Sequence, residues 1–141
     1  MQEYIEFAQA NPLLFLGFFG VLALIIWTEW TRITRKYQLA DVNTAVRMMN
    51  NDKTLILDVR EDSEMQEGSI KGAKHIPLTA LATRISELDK FKSDPVIIYC
   101  RSGNRSGSAC NTLTKAGFED VYNLVGGIAA WETANLPLAK R

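Results

Sequence analysis

From Phe7 to Thr28 the chain runs 22 residues without a charged side chain, and Leu13 to Trp27 is almost wholly apolar. As a helix this stretch spans about 33 Å at ~1.5 Å per residue, which matches a bilayer's hydrocarbon core of roughly 30 Å. Tyr4 near one end and Trp27 and Trp30 at the other suit the two membrane interfaces. Pro12 suits an early helical turn. A cleaved signal peptide opens with basic residues and closes on a small-residue site; this segment opens Met-Gln-Glu-Tyr-Ile-Glu and closes Trp-Thr-Glu-Trp. The pattern predicts one uncleaved anchor in residues 1–30, with its span at about 7–28, then a charged linker at 31–37.

From Gln38 onward the pattern changes to short apolar runs separated by amphipathic ones. Asp41 reads as the N-cap of a helix reaching about Asn50, with Val42, Ala45, Val46, Met48 and Met49 as its apolar positions. Thr54–Leu57 reads as a buried strand ending at Asp58, Lys74–Ile76 as a second before Pro77, and Val96–Tyr99 as a third. Helices are expected at 79–90 and from Ser106 to Ala116, the latter closed by Gly117. Val121–Leu124 is a further strand, Gly126-Gly127 a turn, and Ile128 to Ala134 a last helix. Strands alternating with helices predict an α/β domain with a largely parallel central sheet flanked by helices, in residues 38–141.

Charge adds an orientation. Lys+Arg and Asp+Glu both count 16, yet every Lys and Arg lies at or after Arg32. Arg32, Arg35 and Lys36 closely follow the apolar stretch and none precedes it, so the positive-inside rule puts the domain in the cytoplasm and the N-terminus outside the inner membrane. That compartment keeps thiols reduced. The domain's slight positive excess is too weak for a nucleic-acid binder. Two cysteines and one histidine make no conventional zinc site, and no metal, nucleotide or flavin signature is present. Cys110 falls inside a helix and reads as a small core residue, with no disulfide to Cys100.

The chemistry concentrates where Val96-Ile97-Ile98-Tyr99 ends abruptly in Cys100, followed by Arg101, Ser102, Gly103, Asn104, Arg105 and a helix. A thiol there sits beneath outward-pointing N–H groups at the positive end of a helix, and both favour the thiolate. Arg101 and Arg105 add positive charge. Four residues between Cys100 and Arg105 form a tight cradle, in which Gly103 permits unusual backbone geometry. Ser102 and Asn104 are expected to hold the loop by side-chain-to-backbone bonds. Asp58 and Arg60 also lie at a strand's carboxyl end, so they are expected to share the crevice.

Four segments in order carry a resemblance to the rhodanese-like sulfurtransferase family, from about Tyr37 onward. They are Leu57-Asp58-Val59-Arg60-Glu61, Gly68 to Pro77, the Cys100–Arg105 loop, and Gly126-Gly127-Ile128-Ala129-Ala130-Trp131. Ser69 stands where a histidine is common and Lys71 where a proline is common. One anchor plus one such domain is similar to the small membrane-anchored bacterial proteins of the family. The resemblance implies that Cys100 takes the outer sulfur of a small anionic donor such as thiosulfate, becomes a persulfide, and passes the sulfur to a thiol or cyanide. Arg101 would steer the donor, and Arg105 would tie the loop to a carboxylate, with Asp58 or a neighbour as candidate. Arg60 and Glu61 would lock the crevice wall, and His75 has no required role because the thiolate is already formed. The related phosphatase and arsenate-reductase loops have five residues between cysteine and arginine, so this smaller ring implies sulfur rather than phosphate. The expected partners are the donor, a thiol acceptor, the lipid bilayer and other membrane proteins. The alternative is a membrane-tethered docking module in which catalysis is secondary.

Overall fold

A computed structural model describes residues 2–140. The chain divides into two compact units between Arg35 and Lys36.

The first unit is two helices, α1 (Gln2–Ala10) and α2 (Pro12–Ile33). The helix expected to run on from Phe7 breaks at Asn11, because Pro12 has no N–H to carry the ladder forward and begins a new helix instead. Asn11 bonds back to the Phe7 carbonyl through its backbone N–H (3.1 Å) and its side-chain amide (3.0 Å). The apolar helix long enough to cross a membrane is therefore Pro12–Thr31, with a mean hydropathy of 2.0. Leu13, Leu16, Phe18, Leu24, Trp27 and Trp30 are all exposed on it. An apolar surface of that extent requires cover.

The second unit is built on five parallel strands, β1 (Gln38–Ala40), β2 (Leu55–Asp58), β3 (Lys74–His75), β4 (Val96–Tyr99) and β5 (Val121–Leu124). Their order is β1-β5-β4-β2-β3. Helices α3 (Val42–Met49), α4 (Leu78–Arg84) and α5 (Asn104–Lys115) connect them, with 3-10 turns at Asp62–Glu67 and Ile85–Phe91, and α6 (Gly127–Thr133) follows β5. Asp41 caps α3 by accepting the Thr44 N–H at 2.9 Å, as its sequence position predicts. The helix expected over 79–90 is α-helical only to Arg84. It tightens to 3-10 where Arg84 and Glu87 pair three residues apart at 2.8 Å.

Strand alternation divides the core into two layers. Leu55, Leu57, Val96, Ile98 and Cys100 pack with Leu81, Leu88, Ala109, Cys110 and Leu113 on one face. Ile56, Ile97 and Tyr99 pack with Ala45, Ile128 and Trp131 on the other. Both cysteines are free and buried.

Candidate active site

All four residues of β4 are buried, so the chain leaves the sheet at Cys100 with its sulfur still in the helix-covered layer. Cys100 is 1% exposed. The loop then turns back on the sulfur. Gly103, at φ +103°, donates its N–H to Cys100 Sγ at 3.1 Å and caps α5. The carbonyls of Cys100 and Arg101 point the other way, accepting from the N–H groups of Ile128 (2.8 Å) and Ala129 (3.2 Å) at the start of α6. A Cβ on Gly127 would collide with those two carbonyl oxygens and one on Gly126 with the Ala130 side chain, which is why the Gly126-Gly127 pair is needed there. The loop is thus wedged between α6 and the N-terminus of α5, and its N–H groups are free to face the sulfur.

Two buried polar residues that sequence reasoning missed complete the cradle. Ser106 Oγ lies 3.4 Å from Cys100 Sγ and donates to Asn123 Oδ1 at 2.7 Å. Asn123 Nδ2 donates to the Gly103 carbonyl at 3.0 Å, which fixes the amide's orientation and ties the loop to β5. The signal was an asparagine inside the otherwise apolar strand Val121–Leu124. Ser102 and Asn104, by contrast, are exposed, and the loop is held by Ser106 and Asn123 in their place. Burial works against a charge on Cys100, but the Ser106 hydroxyl and the N–H groups of Ser106, Gly103 and Ser102 outweigh it and hold the thiol below its ordinary value. The hydroxyl has one proton, so Asn123 and the thiolate compete for it.

The crevice wall is built from the other strand end. Asp58 and Arg60 are both fully buried and locked together: Arg60 Nη2 donates to Asp58 Oδ2 at 2.7 Å, and Nε reaches both carboxylate oxygens at 3.1 Å. Of the candidates for Arg105, Asp58 or a neighbour, Asp58 is ruled out, since its oxygens are committed to Arg60. The same guanidinium donates to the carbonyls of Gly68 (2.8 Å) and Glu64 (3.3 Å), clamping the 3-10 turn Asp62–Glu67. Glu61 and Glu64 add a capping box within that turn. The turn's carboxylates then meet the loop. Glu64 takes Arg105 in a two-point pair at 2.6 and 2.8 Å, and Glu67 takes Arg101 at 2.8 Å. His75 belongs to this wall, with Nε2 2.6 Å from the Arg60 carbonyl and Nδ1 3.5 Å from Asp62. Among the described residues no cluster of metal-ligating side chains occurs.

The bond to Arg105 pulls the Glu64 carboxyl down to about 2. A depressed carboxylate contributes stability above its ordinary value of 4.5 and loses it as pH falls toward 2. Glu64→Gln is expected to destabilise the domain near neutral pH by on the order of 2 kcal/mol, after allowance for partial exposure. Thermal unfolding at a series of pH values should show the gap from the unsubstituted chain closing below about 4.5. A gap that persists at pH 2 would refute the ionic account.

A strand-ending thiol in a six-residue cradle, on this five-stranded parallel sheet, defines a class. Residues 41–134 match the Rhodanese-like domain family, and the chain belongs to it. Among relatives, it is 32% identical over 141 residues to the uncharacterized YibN of Escherichia coli K12, covering 99% of each chain. It is 39% identical over 92 residues to a sulfurtransferase of Allochromatium vinosum, covering 65% of this chain and 84% of that one. Among solved structures, a rhodanese-related protein from Thermoplasma volcanium superposes with a TM-score of 0.67 at 27% identity, covering 74% of this chain and all of that one.

Proposed function

We propose that the chain is a membrane-anchored sulfurtransferase or persulfide carrier acting through Cys100. The Cys100 thiolate attacks the outer sulfur of a thiosulfate-like donor. A new S–S bond forms, the donor's S–S bond breaks, and sulfite leaves with the electron pair. A thiol acceptor or cyanide then takes the terminal sulfur and restores the thiolate. The observation that carries this reading is the cradle itself, in which Gly103 N–H meets Cys100 Sγ at 3.1 Å at the N-terminus of α5. N–H groups so placed stabilise thiolate and persulfide alike. Arg101, Ser102, Gly103, Asn104 and Arg105 form the binding loop, and Asp58 and Arg60 support it. The sulfurtransferase name of the Allochromatium relative favours the same chemistry.

The helix Pro12–Thr31 supports the anchoring, and Arg35 and Lys36 beyond it favour a cytoplasm-facing domain on the inner membrane. The exposed apolar α2 also supports the docking-module alternative, in which the tether matters more than the thiol.

Intact mass of the detergent-purified full chain after thiosulfate tests the proposal. The expected result is a gain of one sulfur, about 32 Da, lost on adding reductant and mapping to Cys100. No adduct from thiosulfate or from an organic persulfide, on a folded chain with a free Cys100, would refute it.

A further inference from the structure

Both arginines of the loop are paired with carboxylates from one short segment. Glu64 holds Arg105 with two bonds, and Glu67 holds Arg101 at 2.8 Å at the exposed edge. The segment Glu61–Glu67 carries four acids, Glu61, Asp62, Glu64 and Glu67, against the loop's two arginines. Among the described residues the rest of the wall adds no free cation: Asp58 and Arg60 pair in the interior, His75 lies beside Asp62, and Glu61 accepts a backbone N–H within its turn. An ion pair presents a dipole to an approaching ligand, and its field falls off faster than that of a lone charge. The rim facing the sulfur is therefore poor in free positive charge.

We infer that Glu67 sets the donor class, making the site selective for sulfane sulfur carried on an organic thiol over a dianion such as thiosulfate. The inference rests on the sulfur-transfer reading of Cys100. Its physical core is the charge of the encounter. A thiolate meeting thiosulfate gathers three negative charges, and sulfite must then leave as a dianion. A thiolate meeting R–S–S–H gathers one. In that reaction Cys100 Sγ bonds to the terminal sulfur, the R–S–S bond breaks, RS⁻ departs with the electron pair, and the proton stays on the transferred sulfur. Thiosulfate meets an Arg101 whose charge Glu67 already offsets through the Nη1 bond, whereas the persulfide needs no such charge. Glu64 cannot serve as the selector, because its Arg105 pair holds the loop.

The test compares kcat/KM for Cys100 loading by thiosulfate and by 2-hydroxyethyl persulfide, whose organic group carries no charge. The full chain and its Glu67→Gln variant are measured in detergent at low and high salt. The unsubstituted chain should load faster from the persulfide. Glu67→Gln should raise the thiosulfate-to-persulfide ratio about threefold to fivefold, the scale of an exposed ion pair, chiefly through KM for thiosulfate. High salt should shrink that change. Because the ratio is taken within one protein, any partial loss of folded enzyme cancels. Faster loading of the unsubstituted chain by thiosulfate, or a ratio unmoved by Glu67→Gln, would overturn the inference while leaving sulfur transfer intact. Loading by neither donor, with Cys100 still open to alkylation, would remove the sulfur-transfer reading and the inference with it.

Discussion

Cys100→Ser will lower sulfur transfer on the order of a thousandfold or more, with no persulfide adduct and a normal fold. The two side chains are nearly the same shape, so the loop closes as before. A serine hydroxyl is neutral at working pH and forms no sulfur–sulfur bond. Nor can the second thiol take over. Cys110 is fully buried on the inner face of α5, and that burial pushes its thiol well above the ordinary range, with or without a charge at Cys100. Alkylation against pH checks both halves. In the unsubstituted folded chain, labelling should map to Cys100 with a midpoint below that of an ordinary thiol. In Cys100→Ser it should vanish until the protein unfolds. The same variant separates the two readings of function: a cellular phenotype that survives it belongs to docking, and one that disappears belongs to catalysis.

How much of this was legible beforehand follows from what each part is made of. The strands β2 and β4 are continuous apolar runs and β5 is one broken only by Asn123, so their limits can be read from the sequence almost to the residue. The edge strand β1 offers no such run, since only Ala40 of Gln38–Ala40 is buried, and it exists because β5 has a free side to pair with. The thiol loop was readable because its meaning lies in local order: strand, cysteine, glycine, helix. The partner of Arg105 was not. Asp58, Glu61, Asp62, Glu64 and Glu67 are all near in sequence, and nothing local ranks them. The ranking comes from the buried Arg60, which clamps the carbonyls of Glu64 and Gly68 and so turns Glu64 and Glu67 toward the loop. Ser106 and Asn123 escaped for a related reason, because their bond joins a helix start to a strand 17 residues away.

That dependence on Arg60 makes Asp58→Asn a severely damaging change to the fold. The pair is sealed from solvent on both sides, and Arg60 is the largest of the fully buried side chains. An asparagine keeps the volume but removes the charge, leaving a guanidinium still pinned to two carbonyls with no counterion. Uncompensated buried charge of this kind costs about 3–5 kcal/mol, a large share of a domain's total stability. The loss also reaches the site. As the clamp loosens, the turn Asp62–Glu67 loses its fixed position, and Glu64 no longer meets Arg105. Cys110 supplies the readout, because its buried thiol becomes reactive only when the second unit opens. Pulsed alkylation of Cys110 across a urea series, in a Cys100→Ser background, should show the midpoint falling by the equivalent of about 3–5 kcal/mol in Asp58→Asn. The double variant Asp58→Asn with Arg60→Met should recover part of that loss, since it removes the stranded charge while returning the orphaned Gly68 and Glu64 carbonyls as the remaining cost. A shift below about 1 kcal/mol in the single variant would mean that water or backbone movement relieves Arg60. The Asp58–Arg60 pair would then not be what holds the acidic turn against the thiol loop.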